Sequence, residues 1–327
     1  MLDGKKNRLF FCADLNEYFV PRKEIDNGKF IRNPENPSRL KLVLNYLQEN
    51  FQAIQPLEFG EEHILKVHSE KYFNYLVKKS QEVEDEYLPE VFFVDQIFDT
   101  GTPIKKETFF AAKRAVDIVL SATKYAFEQK VITYALTRPP GHHAMVNYGG
   151  GYCYFNNAAV AARYLEEKGM RVAVLDLDFH HGNGTQDIFY KDPNVLYVSI
   201  HGDPRKFYPW FSGYETECGE GNAYGTNLNI PLPENSDINA YGEALKKAIQ
   251  KLKDFKPDAL MISFGTDTHI KDPVGRFALL SEDYKTIGSS ISNSLVIDYL
   301  IIVHEGGYNS RSNLVAVKNF LAGLLGE

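Results

Sequence analysis

The residues of this 327-residue chain best suited to chemistry fall in a few short stretches. In Arg138-Pro139-Pro140-Gly141-His142-His143-Ala144, two prolines and a glycine force an irregular turn that presents adjacent histidines. Adjacent side chains diverge, so such a pair can do two separate jobs in one cleft. Imidazole is also the group most readily used for acid–base work near neutral pH. The plainer reading is a stiff surface turn with two solvated histidines. Further on, Asp178 and His180 lie two residues apart. On an extended segment both point to one face, where a carboxylate and an imidazole make a natural pair of metal ligands. The alternative is a polar strand end facing water. Asp176 shares that face one step deeper, a place from which it would hold a histidine or a structural cation. Asp267, in Gly265-Thr266-Asp267-Thr268-His269, can supply a third ligand. Two aspartates, one histidine and a water make a four-coordinate site with an open position, the arrangement of catalytic metal centres. The two carboxylates also offset the charge of a divalent ion. Asp272-Pro273 reads as a turn former. In His304-Glu305-Gly306-Gly307-Tyr308, the glycines let the backbone approach a ligand and leave Tyr308 at the mouth as a neutral donor. A core tyrosine is the plain alternative. Gly149-Gly150-Gly151-Tyr152-Cys153 follows the histidine pair, where close backbone approach and aromatic walls are the expected uses. Cys153 is expected to be buried packing, because nothing near it favours a thiolate.

These stretches need elements to position them. Strands are predicted at 8–13, 131–137, 171–178, 194–200, 258–264 and 299–303. Helices are predicted over 40–51, 64–75 (containing His68), 106–127, 155–168 closed by Gly169, 237–255, 282–294 and 312–325. The segment from 14 to about Ser38 reads as a polar loop. The segment 81–106 is the least regular and carries acidic residues, Glu82, Glu84, Asp85, Glu86 and Glu90. They are either a solvated face or a rim that attracts a cationic ligand. The segment 204–233 reads as a long loop rich in aromatics and glycines, which usually marks functional surface. Alternating strands and helices predict an α/β fold: a single domain spanning 1–327, with a mostly parallel central sheet and helices on both faces. Ligands in such folds bind at the carboxyl ends of the strands. The histidine pair, Asp178 with His180, Asp267 and Tyr308 each follow a predicted strand.

Lysine and arginine number 36 against 43 acidic residues, a net charge of −7. With no basic stripe, nucleic acid is not expected as a partner, whereas a cationic substrate fits. The cysteines, Cys12, Cys153 and Cys218, are widely spaced with no CxxC pair. That argues against a disulfide framework or a thiolate metal site, and for a reducing compartment. Met1-Leu2-Asp3-Gly4-Lys5-Lys6-Asn7 lacks the apolar stretch of a secretory signal, and no run of about 18 apolar residues occurs. The expectation is a cytoplasmic protein without membrane contact.

In order along the chain, the segments RPPGHHA, GGYCYFNNAAVAARYL, VLDLDFHHGNGTQDIFY, FGTDTHIKDP and EGGY resemble the histone deacetylase superfamily. IHGDP at 200–204, PWFSGY at 209–214 and Asp267-Thr268 resemble more closely its bacterial acetylpolyamine amidohydrolase branch. The resemblance covers nearly the whole chain. It implies the arginase–deacetylase fold and a zinc-dependent amidohydrolase, with Fe2+ or Co2+ as alternative metals. By motif position it implies Asp178, His180 and Asp267 as zinc ligands. His143 would be general base, then general acid for the leaving amine, and His142, paired with Asp176, would assist electrostatically. Tyr308 would stabilise the oxyanion. Asn183 stands where many eukaryotic deacetylases carry Asp, which bears on the basicity of His143. Asp176, Asp178, His180, Ser199 and the Ile200 carbonyl match a site for K+ or Na+. Tyr152 and Tyr208 fall at tunnel walls, and Gly151 falls where a backbone carbonyl receives the substrate amide N–H. The segment 81–106 looks shorter than the insertion that shapes the homodimer in polyamine hydrolases, so a homodimer is implied by resemblance only. The implied substrate is a small acetylated amine, most closely an acetylpolyamine. Two alternatives stay open: removal of acyl groups from protein lysine, with an acetyl-lysine substrate, and a non-catalytic binder of acetylated ligands. The intact ligand set, the histidine pair and Tyr308 count against the binder. A manganese ureohydrolase shares the fold but needs a second aspartate after His180, which this segment lacks.

Overall fold

The apolar runs of the sequence become strands buried on both faces. A computed structural model describes residues 9–26, 28–89, 92–93 and 95–327. Strand β1 (Leu9–Asp14) leads through an antiparallel pair, β2 (Lys23–Asp26) and β3 (Lys29–Arg32), to helix α1 (Lys41–Asn50) and the short β4 (Gln52–Ala53). Helices α2 (Glu62–Leu65) and α3 (Glu70–Glu82) follow, then the small pair β5 (Glu86–Tyr87) and β6 (Ile104–Lys105), and the long α4 (Thr108–Gln129). Next come β7 (Ile132–Thr137), α5 (Asn157–Glu166), β8 (Val172–Asp176), α6 (Asn183–Phe189), β9 (Val195–Gly202) and β10 (Asn227–Leu232). The chain closes with α7 (Ile238–Phe255), β11 (Ala259–Phe264), α8 (Asp283–Ser294), β12 (Tyr299–His304) and α9 (Ser310–Leu325). Among the described residues, no helix is long and apolar enough to cross a membrane.

Eight strands form one sheet in the order β10-β9-β8-β11-β12-β7-β1-β4, every pair parallel. Alternate residues serve opposite faces. Ala173 and Leu175 of β8, Leu260 and Ile262 of β11, and Leu300 and Ile302 of β12 join one core with residues of α1, α7, α8 and α9. Val172 and Val174, Met261, and Ile301 and Val303 join the other, with residues of α3, α4 and α5. Helices on both faces explain why these strands read as unbroken apolar runs rather than as alternation. The expected α/β architecture is therefore the observed one.

The departures are local. The segment 204–233, expected to be a loop throughout, ends in β10, an edge strand. Its polar sequence hid it, and Pro231 is tolerated there because an edge strand needs fewer ladder donors. The polar loop to Ser38 contains the β2–β3 hairpin. The helix expected over 64–75 is two helices, because Ser69 caps α3 by accepting from the Tyr72 N–H and restarts the chain after His68. Helix α6 was not expected. The first residues tested for a signal (1–7), the first residue of the strand expected at 8–13, and Glu90 lie outside the described residues.

Candidate active site

Strands β8, β11, β12 and β7 are neighbours in the sheet and end at one edge, so the loops that leave them meet. The loop after β8 brings Asp178 and His180, and that after β11 brings Asp267. One atom from each lies within 4.8 Å of the others. His180 Nδ1 is 3.0 Å from Asp267 Oδ2 and 3.4 Å from Asp178 Oδ1. Backbone amides aim the carboxylates. The His180 and Gly306 N–H groups donate to Asp178 at 2.9 and 2.8 Å, and the Phe179 N–H donates to Asp267 at 3.0 Å. Position 306 has room only for glycine, since a Cβ there would stand 2.6 Å from Asp178 Oδ2 and 2.7 Å from Asp267 Oδ2. Both aspartates are fully buried. Burial, with the Asp178 charge beside it, raises the Asp267 pKa, so the pair calls for a cation between them. Two carboxylates and an imidazole converging on one point suit a divalent metal with an open coordination position.

The loop after β7 sets the histidine pair against this cluster, with the His143 and His180 rings 6.0 Å apart. His143 Nδ1 is 2.7 Å from Asn183 Oδ1 at the start of α6, which fixes the ring and leaves Nε2 as its free nitrogen. Burial, then the neighbouring His142 and His180, hold the His143 pKa well below its ordinary value, so the ring is neutral. His142 differs. Its Nδ1 lies 3.1 Å from Asp176 Oδ2. Burial opposes its charge, but Asp178 and Asp176 outweigh burial and lift its pKa to about 10. Two adjacent histidines are thus held in opposite protonation states. The backbone under them is fixed by Glu305, whose carboxylate accepts the Gly141 and His142 N–H groups at 2.7 and 3.2 Å.

Tyr308, after β12, lines the same cavity of about 530 Å3 as His142, His143, Tyr152, Tyr208 and His180. Its N–H donates to Asp272 Oδ2 at 2.6 Å. Asp272 also accepts the Val274 and Gly275 N–H groups, the turn-forming role expected of it. Burial raises the Tyr308 pKa well above its usual value, which keeps the phenol a donor. Tyr208 stands edge-on to His143 at 4.9 Å, and Tyr152 edge-on to Tyr308 at 5.7 Å. Gly151 turns with φ +57°, and a Cβ there would meet the His143 ring at 2.2 Å. Asp176 and Ser199 are register partners on β8 and β9, adjoining the cluster. Asp176 also accepts from the Tyr197 hydroxyl at 3.0 Å, Ser199 Oγ is 2.8 Å from His201 Nδ1, and the Ile200 side chain is buried in the core.

Some residues escaped sequence reasoning. Glu35 is buried between Arg138 and Arg39, with Arg138 Nε at 2.7 Å and Arg39 Nε at 3.1 Å. Arg39 donates onward to the Glu305 and Gly307 carbonyls, so this trio anchors both the histidine turn and the Tyr308 loop. The i, i+4 spacing of Glu35 and Arg39 was the only sequence signal. Glu24, Asp26 and Asp99 line the cavity. The acidic run at 82–86 lines no part of it; Asp85 and Glu86 pair with Arg22 instead.

The Histone deacetylase domain family matches residues 33–324. Acetylpolyamine amidohydrolase 2 of Pseudomonas aeruginosa is 37% identical over 93% of this chain and 95% of its own. Acetylpolyamine amidohydrolase of Mycoplana ramosa is 35% identical over 98% of this chain and all of its own, 100%. The crystal structure of acetylpolyamine aminohydrolase from Burkholderia pseudomallei superposes with a TM-score of 0.90 at 33% identity, over 97% of this chain and 98% of that one. With the motif loops converging as described and a family match over nearly its full length, the chain belongs to the histone deacetylase family.

Proposed function

We propose that this protein is a metal-dependent deacetylase that hydrolyses the amide of a small acetylated amine, with an acetylpolyamine as substrate. The observation that carries the proposal is one cavity in which neutral His143 and the Tyr308 phenol face the Asp178, His180 and Asp267 cluster. A divalent ion held there, zinc in this proposal, would supply Lewis-acid polarisation of the acetyl carbonyl and ease deprotonation of a water. His143 Nε2 takes the proton of the attacking water and hands it to the amide nitrogen as the C–N bond breaks, releasing acetate and the amine. The Tyr308 hydroxyl donates to the acetyl oxygen as negative charge develops on it. His142, charged against Asp176 and Asp178, holds positive charge beside that oxygen. The Gly151 carbonyl accepts the substrate amide N–H, and Tyr152 and Tyr208 flank the chain beyond it. Asp176, Asp178, His180, Ser199 and the Ile200 carbonyl are assigned to a K+ or Na+ that offsets the buried negative charge.

The polyamine assignment is supported by the relatives' names and by the acidic lining of the cavity. Glu24 has a buried carboxylate oxygen, Oε2, without a hydrogen-bond partner among the described residues. A protonated amine at the far end of the substrate would satisfy it. The test is kcat/KM for acetylputrescine, acetylspermidine and acetylcadaverine against acetyl-lysine peptides, on zinc-loaded protein. Preference for the polyamines is expected. Preference for peptides would keep the chemistry and discard the substrate, and inactivity on all of them would discard both.

A further inference from the structure

Asp99 lies in the irregular segment between β5 and β6 and is 4% exposed, yet among the described residues it makes no ion pair. Its Oδ1 accepts the Gly101 N–H at 2.9 Å, which closes a local turn. Its Oδ2 accepts the Tyr208 hydroxyl at 2.7 Å and the Gly151 N–H in a short hydrogen bond. Those partners come from two separate segments, and both line the cavity. The Tyr208 ring meets His143 at 4.9 Å and His180 at 6.1 Å. Gly151 carries the neighbouring Tyr152, whose ring meets Tyr308 at 5.7 Å. The backbone of Tyr152 is tied to the same segment, its N–H donating to Thr102 Oγ1 at 2.9 Å. Phe98 stacks on Tyr208 from behind at 5.9 Å and 20°. One short segment therefore grips both walls of the passage that leads to the metal cluster.

We propose that Asp99 is a positioning residue that sets the shape selectivity of this enzyme. One carboxylate oxygen joins the Tyr208 hydroxyl to the Gly151 N–H, so the two walls keep a fixed spacing. The passage then admits an unbranched methylene chain next to the amide nitrogen and rejects a wider one. Asp99 is the acceptor that the half-buried Tyr208 phenol uses. Without Asp99 the Tyr208 hydroxyl loses its acceptor, leaving ring packing on Phe98 and Trp210 to hold the ring, and the Gly151 turn loses its only side-chain acceptor among the described residues. This proposal rests on the deacetylase function above, since it concerns the chain attached to that amide.

The experiment compares two acetamides, acetylputrescine and the monoacetyl derivative of para-xylylenediamine, whose benzene ring sits where the slot is narrow. The wild type is expected to prefer the linear substrate by about 100-fold in kcat/KM, the scale on which pocket fit discriminates. Asp99→Ala should reduce that preference at least tenfold, with metal content unchanged. Tyr208→Phe removes only the hydroxyl, keeps the ring, and should reduce it in the same direction, which covers the case in which Asp99→Ala folds poorly. A preference that stays at the wild-type value in Tyr208→Phe and in soluble Asp99→Ala overturns the proposal, whatever happens to thermal stability. Wild type inactive on both acetamides overturns the deacetylase function instead. The slot is then read from the ratio of Kd values for a linear and a para-phenylene hydroxamate on metal-loaded protein. The same tenfold loss of discrimination in the variants supports the Asp99 role, and an unchanged ratio overturns it.

Discussion

His143 Nδ1 meets an amide oxygen, Asn183 Oδ1, at 2.7 Å, whereas its neighbour His142 meets a carboxylate, Asp176, at 3.1 Å. A neutral acceptor orients a ring and favours its charged form only weakly; a carboxylate orients it and favours the charged form strongly. With burial and the neighbouring His142 and His180 acting against charge on His143, and Asp178 and Asp176 favouring it on His142, the pair divides into a ring that can take a proton and a ring that already holds one. Asn183→Asp should raise the basicity of His143 and move the acid limb of the kcat/KM profile to higher pH. His143→Ala should lower kcat about 10²- to 10⁴-fold with metal still bound, the usual scale of a lost general base. Near-normal turnover in His143→Ala would remove this ring from proton transfer.

Tyr308 is half-buried, neutral and held by its backbone to Asp272, so its hydroxyl is placed before substrate arrives. Tyr308→Phe keeps the ring and its contact with Tyr152. It should cost about 2.7–4 kcal/mol of transition-state stabilisation, the scale of one lost oxyanion donor. A wild-type kcat on unactivated acetyl amides would exclude that role.

Asp178 is the most connected member of the candidate metal cluster, taking N–H donors from His180 and Gly306 and lying beside His142. Asp178→Ala should lose stoichiometric metal, which elemental analysis of the purified variant reads directly. Retention of one equivalent would count against the ligand assignment. Thermal unfolding with and without chelator gives a second reading, because metal that binds only the folded state raises Tm.

Sequence logic worked where side-chain type and strand ends coincide. The loops bearing Asp178 with His180, Asp267, Tyr308 and the histidine pair could be placed at strand ends because β8, β11, β12 and β7 are unbroken apolar runs. That these strands are also spatial neighbours is a fact of topology, since β7 pairs with β12 across about half of the chain. The support beneath the site was illegible for a different reason. Glu24 and Glu35 sit in a segment that reads as polar loop, Arg39 between that loop and a helix, and Asp99 in the least regular segment, and in a sequence a buried carboxylate looks no different from a solvated one. The acidic run at 82–86 drew notice by its density, yet isolated Glu24 and Asp99 reach the cavity.

Glu24 gives the substrate assignment a pH signature. Burial, with Asp99 and Asp26 nearby, raises its pKa to about 7 despite a hydrogen bond from Tyr152. It is mostly neutral at pH 6 and mostly charged at pH 8, while an alkylamine stays protonated across that range, with a pKa of about 10. KM for an acetylpolyamine should therefore fall as pH rises from 6 to 8, and Glu24→Gln should flatten that trend. The same slope in both proteins would place the distal ammonium elsewhere.

His68, left between α2 and α3 when Ser69 restarts the helix, predicts acid sensitivity of the fold. Its Nδ1–H donates to the Met145 carbonyl at 2.9 Å and its Nε2 accepts the Asn156 N–H at 2.9 Å, so both nitrogens are used by the neutral ring. Burial lowers its pKa to about 4, from 6.5 in the unfolded chain. Between those values the unfolded state binds more protons than the folded one, so stability is full above pH 6.5 and is lost as pH falls toward 4. At about 1.4 kcal/mol per pKa unit the full loss from this residue is roughly 3 kcal/mol. His68→Gln should be less stable than wild type at pH 7.5 and should lose less on going to pH 4.5, as read by denaturant midpoints at the two pH values. Parallel losses in the two proteins would mean that other buried histidines, His201 among them, set the acid limit of the fold.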